Sequence, residues 1–263
     1  MAIQAISSIV AGFFLVFGSA CATDYISLAS SSVEDNQYEA AIEFLTEGAS
    51  KGDPRCDYYL AVLMLSGEIE GERDSQAASV WLRTAVDAGI PDAQLDLGRL
   101  YESGDGVDRD LAKAAALYRK AADAGLPAGQ AQLGALYAVG KGVEQDTAMA
   151  TDLYRKAAKS GDPLGQAALG VASFHGIGVP KNLIDGYMWT KLAAKQGNPE
   201  ANSILRVIVA EMTPSELKKA RYMVSKYSAK SFKTVQYRTK AGIDVAADAP
   251  KRRRSSGGSG LTQ

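Results

Sequence analysis

The 263 residues are 46% apolar and 22% charged with a net charge of −1, the balance of a chain that buries a sizeable core, not of a disordered or fibrous one. The charge is uneven. Beyond Tyr227 eight basic residues face only Asp244 and Asp248, so the tail carries +6 and the remainder −7. An acidic body argues against a nucleic-acid-binding fold and leaves the basic tail as the part able to make weak contact with an anionic membrane or glycan.

Residues 1–22 stand apart. The stretch "IVAGFFLVFGSA" is apolar and too short to span a bilayer comfortably, and it leads into Ala20-Cys21-Ala22, the small-x-small pattern that a signal peptidase cuts after. This predicts a signal peptide and an exported mature chain, periplasmic or secreted, although the n-region lacks Lys and Arg. Lipid attachment at Cys21 in "FGSAC" is the alternative, with Gly18 where such signals usually carry Leu. Residues 23–34 read as a short linker. Cleavage after Ala22 leaves Cys56 as the one cysteine of the mature chain, so its stability rests on apolar packing without an internal disulfide.

From residue 35 the chain is periodic. Gly89, Gly125, Gly161 and Gly197 are spaced by 36, and each is followed two residues later by a proline: Pro91, Pro127, Pro163 and Pro199. Leu-Gly recurs at Leu97-Gly98, Leu133-Gly134 and Leu169-Gly170. The segments "YESGDGVDRD", "YAVGKGVEQD" and "SFHGIGVPKN" each close a unit. Each unit reads as two helices. In the first, Ala114, Leu117, Tyr118, Ala121 and Ala122 form an apolar stripe at helical spacing, capped by Asp110; Asp74, Asp146 and Asn182 stand in the same place elsewhere. Gly125 ends that helix in a left-handed conformation, and Pro127 opens the second, where its missing N–H costs nothing. Ala131, Leu133, Gly134 and Tyr137 fall on the inner side of the second helix.

One hairpin of this size cannot bury its own stripe, but stacked copies can. The pattern predicts an all-α solenoid of five units, 35–74, 75–110, 111–146, 147–182 and 183–212, the last with an eroded second helix in "SILRVIVAEM". "TPSELKKARYMVSKY" then supplies a capping helix, with Thr213 as N-cap, Pro214 at its first position and Glu216 completing a capping box. The solenoid with this cap spans 35–227, and 228–263, ending in "KRRRSSGGSG", reads as a basic, disordered tail.

The three successive units with their alanine pairs, Leu-Gly and Tyr columns and G-x-G-V turns resemble the Sel-one-like repeat (SLR) family, relatives of the tetratricopeptide repeats, over residues 35–212. Ser173 in the Tyr column, Met64 in the first unit and the worn fifth unit depart from the pattern. The resemblance implies a right-handed α/α superhelix whose concave face binds other proteins. For an exported bacterial member it implies an adaptor in envelope complexes, polysaccharide export or secretion.

The G-x-G turns are Gly104 and Gly106, Gly140 and Gly142, and Gly176 and Gly178. "GKG" at 140–142 suggests a phosphate cradle when read alone. Its sisters carry Asp105 and Ile177 where Lys141 stands, and nucleotide-loop spacing is lacking, so the turn reads as structural. A basic column recurs on the first helices at Arg83, Arg119, Arg155 and Lys191; these are the candidate partner-binding residues, set against a solvated face partly paired with Asp87 and Asp123. Trp81 and Trp189 share the apolar column of Phe44, Leu117 and Leu153 and read as core. Cys56 falls in a small-residue column and reads as a buried thiol. His175, the single histidine, occupies a loop position with no partner for zinc or a triad, and Ser215-Glu216-Leu217-Lys218 matches S-x-x-K without its companion motifs. No catalytic, metal or cofactor residue is assigned. The expected role is a non-enzymatic protein-binding scaffold, with a cell-wall hydrolase as the distant alternative.

Overall fold

The computed structural model describes residues 24–67 and 74–238, with side chains described as far as Tyr227. The signal segment, Cys21 and the tail beyond Arg238 lie outside the described residues. Two compact units divide the chain, 1–126 with 141–143, and 127–140 with 144–263. Among the described residues there are twelve helices and no strands. The first unit holds α1 (Tyr25–Glu34), α2 (Tyr38–Ser50), α3 (Pro54–Ser66), α4 (Ser75–Asp87), α5 (Pro91–Ser103) and α6 (Leu111–Asp123). The second holds α7 (Pro127–Val139), α8 (Thr147–Lys159), α9 (Pro163–His175), α10 (Leu183–Lys195), α11 (Ala201–Glu211) and α12 (Pro214–Arg238).

The helix starts follow the predicted chemistry. Asp74, Asp110 and Asp146 each accept from the backbone N–H three residues on, at 2.8, 3.0 and 2.9 Å, and Asn182 accepts from both Ile184 and Asp185. Pro54, Pro91, Pro127 and Pro163 each open a helix. In the worn last repeat Pro199 does not; the helix begins at Ala201, whose N–H Asn198 caps at 3.0 Å.

Between helix pairs the chain folds back so that the cap residue donates to a carbonyl nine residues earlier: Asp110 to Tyr101, Asp146 to Tyr137 and Asn182 to Ser173. All six predicted turn glycines have positive φ. At Gly142 (φ +69°) the demand is double, because an added Cβ would also strike the Leu111 carbonyl.

The Leu-Gly column is a close-approach site. A Cβ at Gly98 would come within 2.6 Å of the Tyr118 ring, and one at Gly134 within 2.9 Å of Tyr154. The absent side chain lets the next first helix press in, so Tyr118 is fully buried beneath α5. The stripe predicted on α6 is buried throughout.

Two boundaries differ from expectation. Residues 25–34 are a helix where a linker is expected: Tyr25, Ile26 and Ala29 pack on Ala41, Leu45, Cys56 and Leu60, and Asp24 caps Ser27 N–H at 3.3 Å. Four serines, at 27 and 30–32, disguise its stripe. At the other end α12 continues to Arg238, past the Tyr227 boundary expected for the tail. Its start is the predicted capping box: Glu216 N–H donates to Thr213 Oγ1, and Glu216 accepts from Thr213 N–H at 2.9 Å. Ala220 and Val224 are buried with Leu205 and Ile208.

Candidate functional site

The four candidate cations are not equivalent. In the first unit Arg83 and Arg119 are exposed on α4 and α6. In the second, Arg155 and Lys191 are half-buried on α8 and α10. In the second unit Asp152 accepts from Arg155 at 3.3 Å and from Lys156 at 2.8 Å. These cations, Lys156 foremost, hold the Asp152 carboxyl below the usual carboxylate range.

Arg155 lines a groove of about 470 Å3 between α8 and α10, floored by α9. Lys191 does not line it. The groove brings in two cations that the sequence reading left out, Lys159 at the end of α8 and Lys181 in the turn between α9 and α10. Lys181 pairs with Glu211 at 2.9 Å and lies over the Phe174 ring, 5.3 Å from its centroid. Asp185 is the one acidic lining residue, held by Asn182 Nδ2 at 2.8 Å. The apolar part of the lining is Leu169 on the floor and Met188 and Trp189 on the α10 wall. Trp189 is buried, as its column predicts, while Trp81 is half-buried between two clusters of the first unit.

The first unit has the equivalent groove two repeats earlier, with Leu97, Tyr101, Ala116 and Leu117 where the second has Leu169, Ser173, Met188 and Trp189. It measures about 230 Å3 and is edged by Lys113 and Lys120, not by Arg83 or Arg119. Lys113 stands over Tyr101, 5.3 Å from the ring centroid. The larger groove has Ser173 where the smaller one has the Tyr101 phenol. The Tyr-column departure was visible in the sequence, but its coincidence with Lys159, Lys181 and Trp189 was not.

A second hollow of about 290 Å3 in the second unit is lined by Ala138, Ala150, Thr151, Tyr154, Val171 and Ile177 among others. Its origin is a similar substitution. Tyr118 donates to Glu102 at 2.7 Å, whereas Ala138 holds the Glu102 position beside Tyr154. Burial pushes the Tyr154 phenol up to about 12.

The remaining candidates have structural settings. Cys56 is fully buried in the α1–α3 core, as expected, and burial pushes its thiol up to about 11. His175 closes α9 instead of lying in a loop, its ring edge-on to Phe174 at 4.6 Å. Ser215 is exposed in the first turn of α12, next to the capping Glu216. Among the described residues no cluster of three or more His, Cys, Asp or Glu could hold a metal, and no helix is long and apolar enough to cross a membrane.

Comparison with known proteins places this geometry. Residues 54–90, 91–126, 127–162 and 163–198 match the family model described as Sel1 repeat. That phase is half a unit from the one read above, pairing each Pro-opened helix with the Asp-capped helix after it. A Sel1 repeat protein from Oxalobacter formigenes is 34% identical with a TM-score of 0.56, over 64% of this chain and 49% of that one. The Escherichia coli protein c5321, a protective antigen present in uropathogenic strains and displaying an SLR fold, is 22% identical with a TM-score of 0.55, over 87% and 58% of the two chains. The chitin synthase regulator SKT5 of Saccharomyces cerevisiae is 38% identical over 76 residues, 27% of this chain and 10% of that protein. The chain thus spans about half the length of its bacterial structural relatives and a tenth of the yeast regulator.

Proposed function

The chain belongs to the Sel1 repeat family, an α/α-solenoid family whose members are generally protein-interaction scaffolds, and on that premise we propose that it is a non-enzymatic adaptor of the bacterial cell envelope. Its partner is a protein, such as a secretion or polysaccharide-export component, bound along the concave face expected of the repeat solenoid. The observation that carries this reading is the groove of the second unit. In a repeat protein the repeated columns build the stack, so binding specificity resides in positions that break the pattern. Ser173 breaks the Tyr column at a groove lined also by Met188 and Trp189 and edged by Arg155 and Lys159. The export half of the proposal rests on the apolar segment and cleavage pattern of residues 1–22.

Photo-crosslinking in the native host tests the adaptor role. A benzophenone side chain at Arg83, Arg119, Arg155 or Lys191 should give a discrete adduct in the envelope fraction from at least one position, and none from Val139 at the end of α7. Adducts from no first-helix position would overturn it. The mature N-terminus tests export by mass spectrometry: Thr23 marks a free exported chain, an acylated Cys21 a lipid-anchored one, and an intact Met1 contradicts both. Turnover of peptidoglycan abolished by Ser215→Ala would replace the adaptor with the hydrolase.

A further inference from the structure

The second-unit groove carries more than a location, and resting on the adaptor reading we infer its ligand: an acidic peptide segment of a partner protein with a large apolar or aromatic side chain beside its carboxylates. The ring enters the space left at Ser173, and the carboxylates meet Arg155 and Lys159.

Three observations converge on this chemistry. The first is shape. The groove is about 470 Å3 against about 230 Å3 for its first-unit counterpart, and it is lined by Ser173 where that one is lined by Tyr101. A pocket of that size, lined by Leu169, Met188 and Trp189, matches an aromatic or long aliphatic side chain.

The second is charge. Arg155 gives a single N–H to Asp152 at 3.3 Å, and Lys156 takes the same carboxylate more closely at 2.8 Å. A guanidinium has five N–H donors in a planar fork that suits a carboxylate, so the single bond to Asp152 leaves Arg155 able to take a second carboxylate at the groove it lines. Lys159 adds an exposed ammonium on the same helix one turn on. Asp152 and Asp185 confine the positive field to this one spot, which suits one or two carboxylates and disfavours an extended polyanion.

The third is support. Tyr227 packs edge-on against Trp189 at 5.0 Å and its hydroxyl donates to the Lys159 carbonyl at 3.3 Å, so the Trp189 wall and the charged wall are held by one side chain of α12. The chain's own tail has the wrong sign for this site: Lys251, Arg252, Arg253 and Arg254 stand in its last thirteen residues with no acidic residue among them.

The probes are three fluorescein-labelled octapeptides with Phe, Trp or Leu flanked by glutamates, titrated onto the full chain by fluorescence anisotropy. Two control sets replace the apolar residue by Ser, or every Glu by Gln. At least one parent peptide should bind, and either replacement should weaken it about tenfold or more. Ser173→Tyr restores the side chain that the sister repeats carry, so it should keep the melting temperature and abolish binding. Arg155→Gln with Lys159→Gln should weaken binding about tenfold or more and flatten its salt dependence. No binding by any parent peptide, binding unaffected by Ser173→Tyr, or equal binding of the Ser-substituted peptides would each overturn the inference. Adducts from the first-helix crosslinking positions together with such a result would leave the adaptor standing and remove only this ligand.

Discussion

The Tyr227 ring meets the Trp189 indole edge-on, with centroids 5.0 Å apart and planes at 72°, and its hydroxyl donates to the carbonyl of Lys159. A residue of the terminal helix thereby ties together α8 and α10, the two walls of the groove. Aromatic pairs of this kind contribute about 0.5–1.5 kcal/mol beyond the area they bury. Tyr227→Ala should destabilise the protein by roughly 2 kcal/mol. Tyr227→Phe loses only a long hydrogen bond and should cost under about 1 kcal/mol. Urea denaturation separates the two; equal effects would show that the hydroxyl, not the ring, does the holding.

The turn glycines differ in what they require. Gly125 and Gly142 both have positive φ, but an added Cβ at Gly125 meets nothing within 4 Å, whereas at Gly142 it strikes the Leu111 carbonyl. Gly125→Ala should therefore cost about 1–2 kcal/mol, the strain of left-handed backbone alone. Gly142→Ala should add about 1–3 kcal/mol of steric conflict to that, and Gly142→Val more still. Equal melting temperatures for the two alanine variants would contradict the close packing of this turn on α6.

Tyr118 is fully buried, and its hydroxyl donates to the Glu102 carboxylate at 2.7 Å. Burial first, and this carboxylate second, push the phenol well above its ordinary value. Glu102→Ala leaves a buried hydroxyl without its acceptor and should cost about 1–3 kcal/mol, while Glu102→Gln, which keeps an acceptor, should cost less. Thermal melts of the two variants check the order. Ala138→Glu is the converse experiment: it restores an acceptor at the matching place beside Tyr154, and the Tyr154 phenol should then titrate at higher pH than in the unsubstituted protein in an alkaline absorbance scan.

Cys56 should be chemically quiet. Its thiol is pushed from 9.0 to about 11, chiefly by burial, so at pH 8 only about one molecule in a thousand carries the reactive thiolate. A thiol reagent should label native protein slowly and urea-denatured protein fast. Native labelling should climb roughly a hundredfold from pH 8 to pH 10 while the fold persists, where an ordinary thiol would be near saturation. The linkage runs the same way: the folded state holds its proton longer than the unfolded one, so this residue lowers stability as pH rises above about 9. Fast native labelling at pH 8 would sink the assignment.

The repeat was legible because its causes are local. A capping Asp or Asn, an apolar stripe, a left-handed glycine and an opening proline each act within one or two turns of chain, so Asp110, Leu117, Gly125 and Pro127 announce their helices without any tertiary context. Even the Leu-Gly column marks a close approach, although its partner, the Tyr118 or Tyr154 ring, emerges only on folding. Failures came where locality ends. The α1 stripe is diluted by serines and earns its helix by packing on α2 and α3. The continuation of α12 past Tyr227 carries no sequence stop signal.

The groove belongs wholly to the tertiary structure. The sequence marks Ser173 as a departure from a column and Arg155 as a cation in one, and by itself determines the helices, caps and turns that carry them. It does not indicate that Ser173 faces Trp189 sixteen residues on, that Lys159 and Lys181 edge the same hollow, or that Tyr227 returns from the end of the solenoid to brace it. Helix formation depends on neighbours a few residues apart, whereas a binding groove is a sum of side chains brought together from three helices. Only the packing of α8, α9 and α10 against one another decides which of them meet.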